Sequence, residues 1–179
     1  MNATVPGFLL WRRLTLIFHS LRSSPLAPPD VIRILSLPHR LRVIDLTGGY
    51  RYVDDSVLLA IASSPASATL EALRLDHCEK ITEAGGAALA AARLSALTTL
   101  STRAVTGIDF KALMRTLPSL TDLDVAWCRQ LTEGDFETGE ATGAGGGPEA
   151  VEPIGPPSLA ASLVRINMEV SQLSYVFAR

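Results

Sequence analysis

Cys78 and Cys128 are the two cysteines of the chain, and His77 stands directly before the first. Three chemistries use such residues. A Cys–His pair makes a nucleophile when the imidazole takes the thiol proton. Neighbouring residues of an extended strand point to opposite faces, so His77 and Cys78 do not share that hydrogen bond. Structural zinc needs four ligands at short, regular spacings. The chain has only two cysteines and three scattered histidines, His19, His39 and His77. The GAGGG string at 143–147 lacks the Lys-Ser/Thr that a phosphate-binding loop requires. No cofactor, no metal and no catalytic group is therefore expected. A disulfide is the third chemistry, and it depends on where the two cysteines sit.

They sit at the same place in a repeat. Residues 70–83 read LEALRLDHCEKITE and residues 120–133 read LTDLDVAWCRQLTE. Both fit L-x-x-L-x-[LV]-x-x-C-x-x-[IL]-T-E. Weaker copies are LRVIDLTGG at 41–49, LTTLSTRAV at 97–105 with Thr102 in the third slot, and LVRINMEVS at 163–171. The starts at 41, 70, 97, 120 and 163 give steps of 29, 27, 23 and then 43 residues. One copy separates the two cysteines, which places them on the order of 10 Å apart on strands spaced about 4.8 Å. A disulfide needs Cα atoms within about 7 Å. The thiols are thus expected to be free, buried, and weak donors toward turn backbone.

In each copy the x-L-x-L core alternates, so the leucines point inward from a short strand. Helical signals follow: Asp54-Asp55 before SVLLAIA, Thr82-Glu83 before AGGAALAAA, and Asp109 before FKALMRTL, which Pro118 stops. Gly85 and Gly86 weaken the second helix, and its small face suits close packing. One strand and one helix per unit predict an α/β fold, with parallel strands lining a concave face and helices on the convex face. This pattern resembles the leucine-rich-repeat horseshoe. The C-x-x-[IL]-T-E tail resembles its cysteine-containing subtype, found in F-box/leucine-rich-repeat proteins. The resemblance implies a solenoid and a protein-binding adaptor or scaffold, with substrate recognition in a ubiquitin-ligase setting as one role. The F-box itself is not convincing. Val5-Pro6 and Leu16-Ile17-Phe18 with Leu21 echo its start, but the spacing is too long and the second half is missing.

The x positions between the leucines are then the candidate binding residues. The register predicts one ladder of Asp45, Arg74, Ser101, Asp124 and Asn167, and a second of Thr47, Asp76, Arg103, Ala126 and Glu169. A rim row follows, of Gly48, His77, Ala104, Trp127 and Val170. Trp127 is the expected anchor, because tryptophan concentrates at binding hot spots. Asp45, Arg74, Asp76, His77, Arg103 and Asp124 complete the candidate partner-binding set. A purely structural reading has Trp127 covering the base of the segment that follows.

That segment, residues 134–157, is rich in Gly, Pro and Glu and reads as a flexible insert replacing a helix. Residues 37–133 are assigned to the repeats, and 158–179 to a last repeat strand and tail. Residues 1–36 read as a helical cap or targeting segment, with WRRLTLIFHSLRSS and PDVIRILSL both helical. Of the first 29 residues none is acidic, and Arg12, Arg13, Arg22 and several serines give the bias of a mitochondrial presequence. The cytoplasm is the first expectation and the mitochondrion the alternative. The net charge of −2 gives no general attraction to nucleic acid, and no apolar tract is long enough to span a bilayer. The nine residues after the last strand are too few for another unit, so its edge is expected to be covered by that tail, by another chain, or by further repeats. A second functional expectation follows: a structural subunit whose edge and basic start are buried in a larger, possibly mitochondrial, assembly.

Overall fold

A computed structural model describes residues 12–15, 27–36, 41–131 and 164–168. Among these residues six strands of three residues form one all-parallel sheet in sequence order: β1 (Arg13–Thr15), β2 (Val43–Asp45), β3 (Ala72–Arg74), β4 (Thr99–Ser101), β5 (Asp122–Asp124) and β6 (Arg165–Asn167). Helices α1 (Pro28–Leu35), α2 (Asp55–Ser63), α3 (Glu83–Ala91) and α4 (Phe110–Met114) join the first five strands. The insert at 134–157 lies outside the described residues. So do Val5-Pro6, Leu16–Leu21, Thr132-Glu133, Glu169, Val170 and the tail from Ser171.

The repeat pattern explains the core. The central residues of the first five strands, Leu14, Ile44, Leu73, Leu100 and Leu123, are buried and sit opposite one another across the sheet. The first-slot residues Leu41, Leu70, Leu97 and Leu120 are buried too, as are Leu46, Leu75 and Val125 in the third. From the helical side come Val31 and Leu35, then Leu58 and Ile61, Leu89, and finally Phe110 and Leu113. Burying a residue of this kind contributes about 1.5–3 kcal/mol, so the two layers are held mainly by this seam.

Helix starts follow the caps. The Asp54 carboxylate accepts the N–H groups of Ser56 at 3.0 Å and Val57 at 3.4 Å. Thr82 accepts the N–H of Ala84 at 3.3 Å, and Asp109 that of Ala112 at 3.0 Å. Asp55 adds a tie between units: its carboxylate accepts both the N–H (2.8 Å) and the hydroxyl (2.6 Å) of Thr82. That contact requires a bare backbone opposite it. A Cβ on Gly85 would overlap Asp55 and press on Leu58. Gly85, which weakens α3 by propensity, is thus what lets it approach α2, while Gly86 lies against the backbone of Gly107–Asp109 in the next unit.

The N-terminal segment departs from expectation. WRRLTLIFHSLRSS reads as helical, yet Arg13–Thr15 is strand β1, with Leu14 buried opposite Ile44. Leu14-Thr15-Leu16 has the same L-x-L spacing as Ile44-Asp45-Leu46. The open edge of β2 offers backbone partners that weak local helix propensity does not match. Residues 28–35 are helical as expected.

The weak copy has a physical mark. Thr102 fills a slot that elsewhere holds Leu or Val; it is fully buried, and its Oγ1 makes no hydrogen bond. An unsatisfied buried hydroxyl costs about 1–3 kcal/mol. Thr102→Val is expected to raise the urea midpoint, stabilising the fold by about 1 kcal/mol. An unchanged or lower midpoint would show that the hydroxyl is satisfied after all.

Candidate functional site

The face of the sheet away from the helices carries the candidate residues. Register places Asp45, Arg74, Ser101, Asp124 and Asn167 directly opposite one another across β2 to β6. Arg74 Nη1 lies 3.8 Å from Asp45 Oδ2, and Arg103 Nη1 lies 3.9 Å from Asp124 Oδ2. Arg74, Asp76, Arg103, Asp124, Arg165 and Asn167 are among the residues lining an open groove of about 460 Å³ on this face.

Beyond the strands, pairing runs on into a turn. The N–H of Gly48 donates to Asp76 O at 2.8 Å, that of His77 to Arg103 O at 2.8 Å, and that of Ala104 to Ala126 O at 3.0 Å. Each turn closes on itself: Gly49 N–H to Leu46 O, Cys78 to Leu75, Val105 to Thr102, and Cys128 to Val125, all at 3.1–3.2 Å. The third residue of every one of these turns has positive φ: Gly48 at 79°, His77 at 60°, Ala104 at 56° and Trp127 at 65°. A closed turn left-handed at this position alone is a type II turn, where glycine is the natural occupant. The expected rim row is thus a row of left-handed residues.

Two rim residues are aromatic despite that conformation. The His77 ring stacks on Tyr50, centroids 5.7 Å apart and planes at 28°. That stacking occupies the imidazole on the rim, while Cys78 is turned into the core. Trp127 holds a left-handed backbone with 44% of its surface exposed. A bulky residue in this region is strained by roughly 1–2 kcal/mol, and its exposure leaves little packing to offset it. Ala126, expected on the open face, is buried instead, because a methyl group does not reach past its neighbours. Glu169 and Val170, the last rungs of two rows, lie outside the described residues. No positive-φ pattern is legible from the sequence at His77, Ala104 or Trp127; only Gly48 hints at it.

The cysteines are free and buried, as expected. Each thiol donates back to the preceding unit: Cys78 Sγ to Leu46 O at 3.4 Å, and Cys128 Sγ to Thr102 O at 3.1 Å and Val105 O at 3.3 Å. At the equivalent Gly49 an added Cβ would overlap Val53. Burial pushes the Cys78 thiol up to about 12, helped by the negative charges of Asp76 and Asp45 and opposed by a backbone hydrogen bond from Gly49. Burial also raises Cys128. The nearby Thr102 side chain and the Val105 and Ala104 backbone oppose that rise. Among the described residues no group of His, Cys, Asp and Glu is arranged to hold a metal, and no helix is long and apolar enough to cross a membrane.

The arrangement is an α/β one, a single parallel sheet with helices joining its strands. In fold, the chain is similar to a solved structure from yeast, a chain of the complex of Rad7 and Elc1. The match has a TM-score of 0.54 at 21% identity, and covers 63% of this chain and 28% of that one. No protein-family model matches the chain, and no curated protein matches it.

The raised thiols predict both reactivity and a pH dependence. In the folded protein Cys78 and Cys128 should resist a thiol reagent at pH 8 and react on unfolding; fast labelling without denaturant would contradict their burial. A group with a folded value above its unfolded 9.0 contributes stability that is intact below pH 9 and is lost as pH rises toward 12. Urea midpoints should therefore fall from pH 8 to 10.5, and less steeply in Cys78→Ala.

Proposed function

We propose that this chain is a leucine-rich-repeat module of the cysteine-containing subtype that binds a protein partner and performs no catalysis. Its strands line a concave face, its helices the convex one, and the whole forms a short solenoid. Trp127 carries the reading. An exposed indole held on a strained left-handed backbone persists only where something outside the local fold selects for it. Arg74, Asp76, Arg103 and Asp124 line the groove and give the face its polarity, with Asp45 facing Arg74 and His77 stacked on Tyr50. The similarity in fold to a chain solved together with a partner protein supports the same reading. The finer role is an adaptor or scaffold, with substrate recognition in a ubiquitin-ligase setting as its most specific form.

A structural-subunit role is the second reading, and one observation favours it. Ile166 on the last strand and Val164 just before it are 42% and 77% exposed, although Ile166 occupies the same rung as the buried Leu123. In a larger assembly a neighbour would cover that end. The cytoplasm is the compartment proposed for the first role and the mitochondrion for the second.

Affinity purification of the tagged chain from its own cells, with and without Trp127 changes, tests the proposal. Trp127→Ala should release the partner. Trp127→Gly should release it as well while leaving the thermal midpoint equal or higher, because glycine relieves the left-handed strain. Undiminished recovery with both variants would remove the concave face from consideration. A partner retained by them but lost on Ile166→Glu would favour the structural-subunit role.

A further inference from the structure

The open face is neutral in charge but not in hydrogen-bonding capacity. Three cations (Arg74, Arg103, Arg165) and three anions (Asp76, Asp122, Asp124) line its groove. Every carboxylate is already engaged. Asp76 accepts the Ser101 hydroxyl at 2.6 Å and the Arg103 N–H at 3.0 Å. Asp124 accepts the Ala126 N–H at 3.1 Å and the Asn167 amide at 3.2 Å. Asp122 accepts the Thr121 hydroxyl at 2.9 Å and faces Arg165 at 3.2 Å. Asp45, at the groove's edge, accepts the Thr47 N–H at 3.2 Å.

Two of the three guanidinium groups are in the opposite state, Arg165 being engaged by Asp122. Arg74 and Arg103 come only within 3.8 and 3.9 Å of a carboxylate oxygen, beyond hydrogen-bonding distance. Among the described residues neither side chain makes a hydrogen bond, yet each is at least a third exposed toward the groove. Each guanidinium holds five donors in a planar fork that matches a carboxylate bidentately. The nearby aspartates are held back by their own turn and strand bonds, so they hold the arginines in place without saturating them.

We propose that the groove takes an acidic peptide segment of a partner protein, with its carboxylates on Arg74 and Arg103 and one apolar side chain against Trp127. This rests on the binding-face reading above and adds the chemistry of the ligand.

The test is to pan a random peptide library against the full chain. The best peptide's affinity is then measured by fluorescence polarisation, with the Glu/Asp residues intact and with each replaced by Gln or Asn. Enrichment for Asp and Glu beside an apolar residue is expected, with about tenfold weaker binding of the amide version. Arg74→Gln and Arg103→Gln should each weaken the acidic peptide by about five- to tenfold while leaving the far-UV dichroism unchanged. Asp124→Asn keeps an acceptor for the Ala126 N–H and removes the charge facing Arg103, so it should tighten binding; a merely structural role for Asp124 would weaken it or leave it unmoved. Raising the salt should weaken binding throughout.

Enrichment of basic or uncharged peptides, or equal affinity for the acidic and amide versions, would overturn the proposal. If the partner recovered from cells depends on Trp127 while no acidic peptide is selected, the acidic ligand falls and the binding face stands. If neither result is obtained, both fall.

Discussion

The fold depends on one constraint, the left-handed residue in the turn that follows each of β2 to β5. Strands of three residues are too short to fix a sheet by pairing alone. What aligns them is the turn at their exit, closed by one backbone bond and tied by another to the next unit. Closing it demands positive φ at Gly48, His77, Ala104 and Trp127. It also brings the following residue, Gly49, Cys78, Val105 or Cys128, into the core, where little space remains. Cysteine suits that place because it is small, apolar, and still able to donate weakly to a carbonyl of the unit before it. The residues that looked reactive in the sequence are thus fasteners.

The same turn generates the open face. It holds Asp76 and Arg103 at the second position of successive turns, so a carboxylate of one unit accepts the backbone N–H of the next. Electrostatics on this face follows from backbone geometry more than from direct ion pairing. The arginine–aspartate distances of 3.8 and 3.9 Å in exposed surroundings contribute little to stability. What they do is keep charges of both signs in fixed positions along the groove, an arrangement better suited to choosing a ligand than to holding the chain together.

Much of this was legible beforehand, because leucine spacing reports register directly. Once Leu73 and Leu123 are aligned as equivalents, the ladder from Asp45 to Asn167 follows by counting, and the observed pairing agrees rung by rung. The caps Asp54, Thr82 and Asp109 were legible for the same local reason. What failed to show was set by contacts between units. Leu14 lies in a string with helical character, and only the edge of β2 makes it a strand. Ala126 counts as an outward position, but how far a side chain reaches from a turn depends on the neighbours' bulk. Left-handed φ at Trp127 leaves no trace in residue type, since a bulky side chain does not favour it. Helix α4 has five residues where eight were in pattern, which fits a unit of 23 residues rather than 29.

The ties that secure the units all have the same reach. Asp55 holds Thr82, Cys78 reaches back to Leu46, Cys128 to Thr102, and Gln130 to Val105. Each spans a single seam between neighbours. Cooperativity in such a chain is local: opening one seam leaves the next with its own bonds, and melting spreads from whichever end is less well covered. With Ile166 on β6 and Val164 just before it exposed, that end is the C-terminal one among the described residues. Trp127 and Asp124 stand on the seam beside it. Occupation of the groove would then act as a clamp on the part of the molecule readiest to fray, so that ligand binding and order at this end rise and fall together.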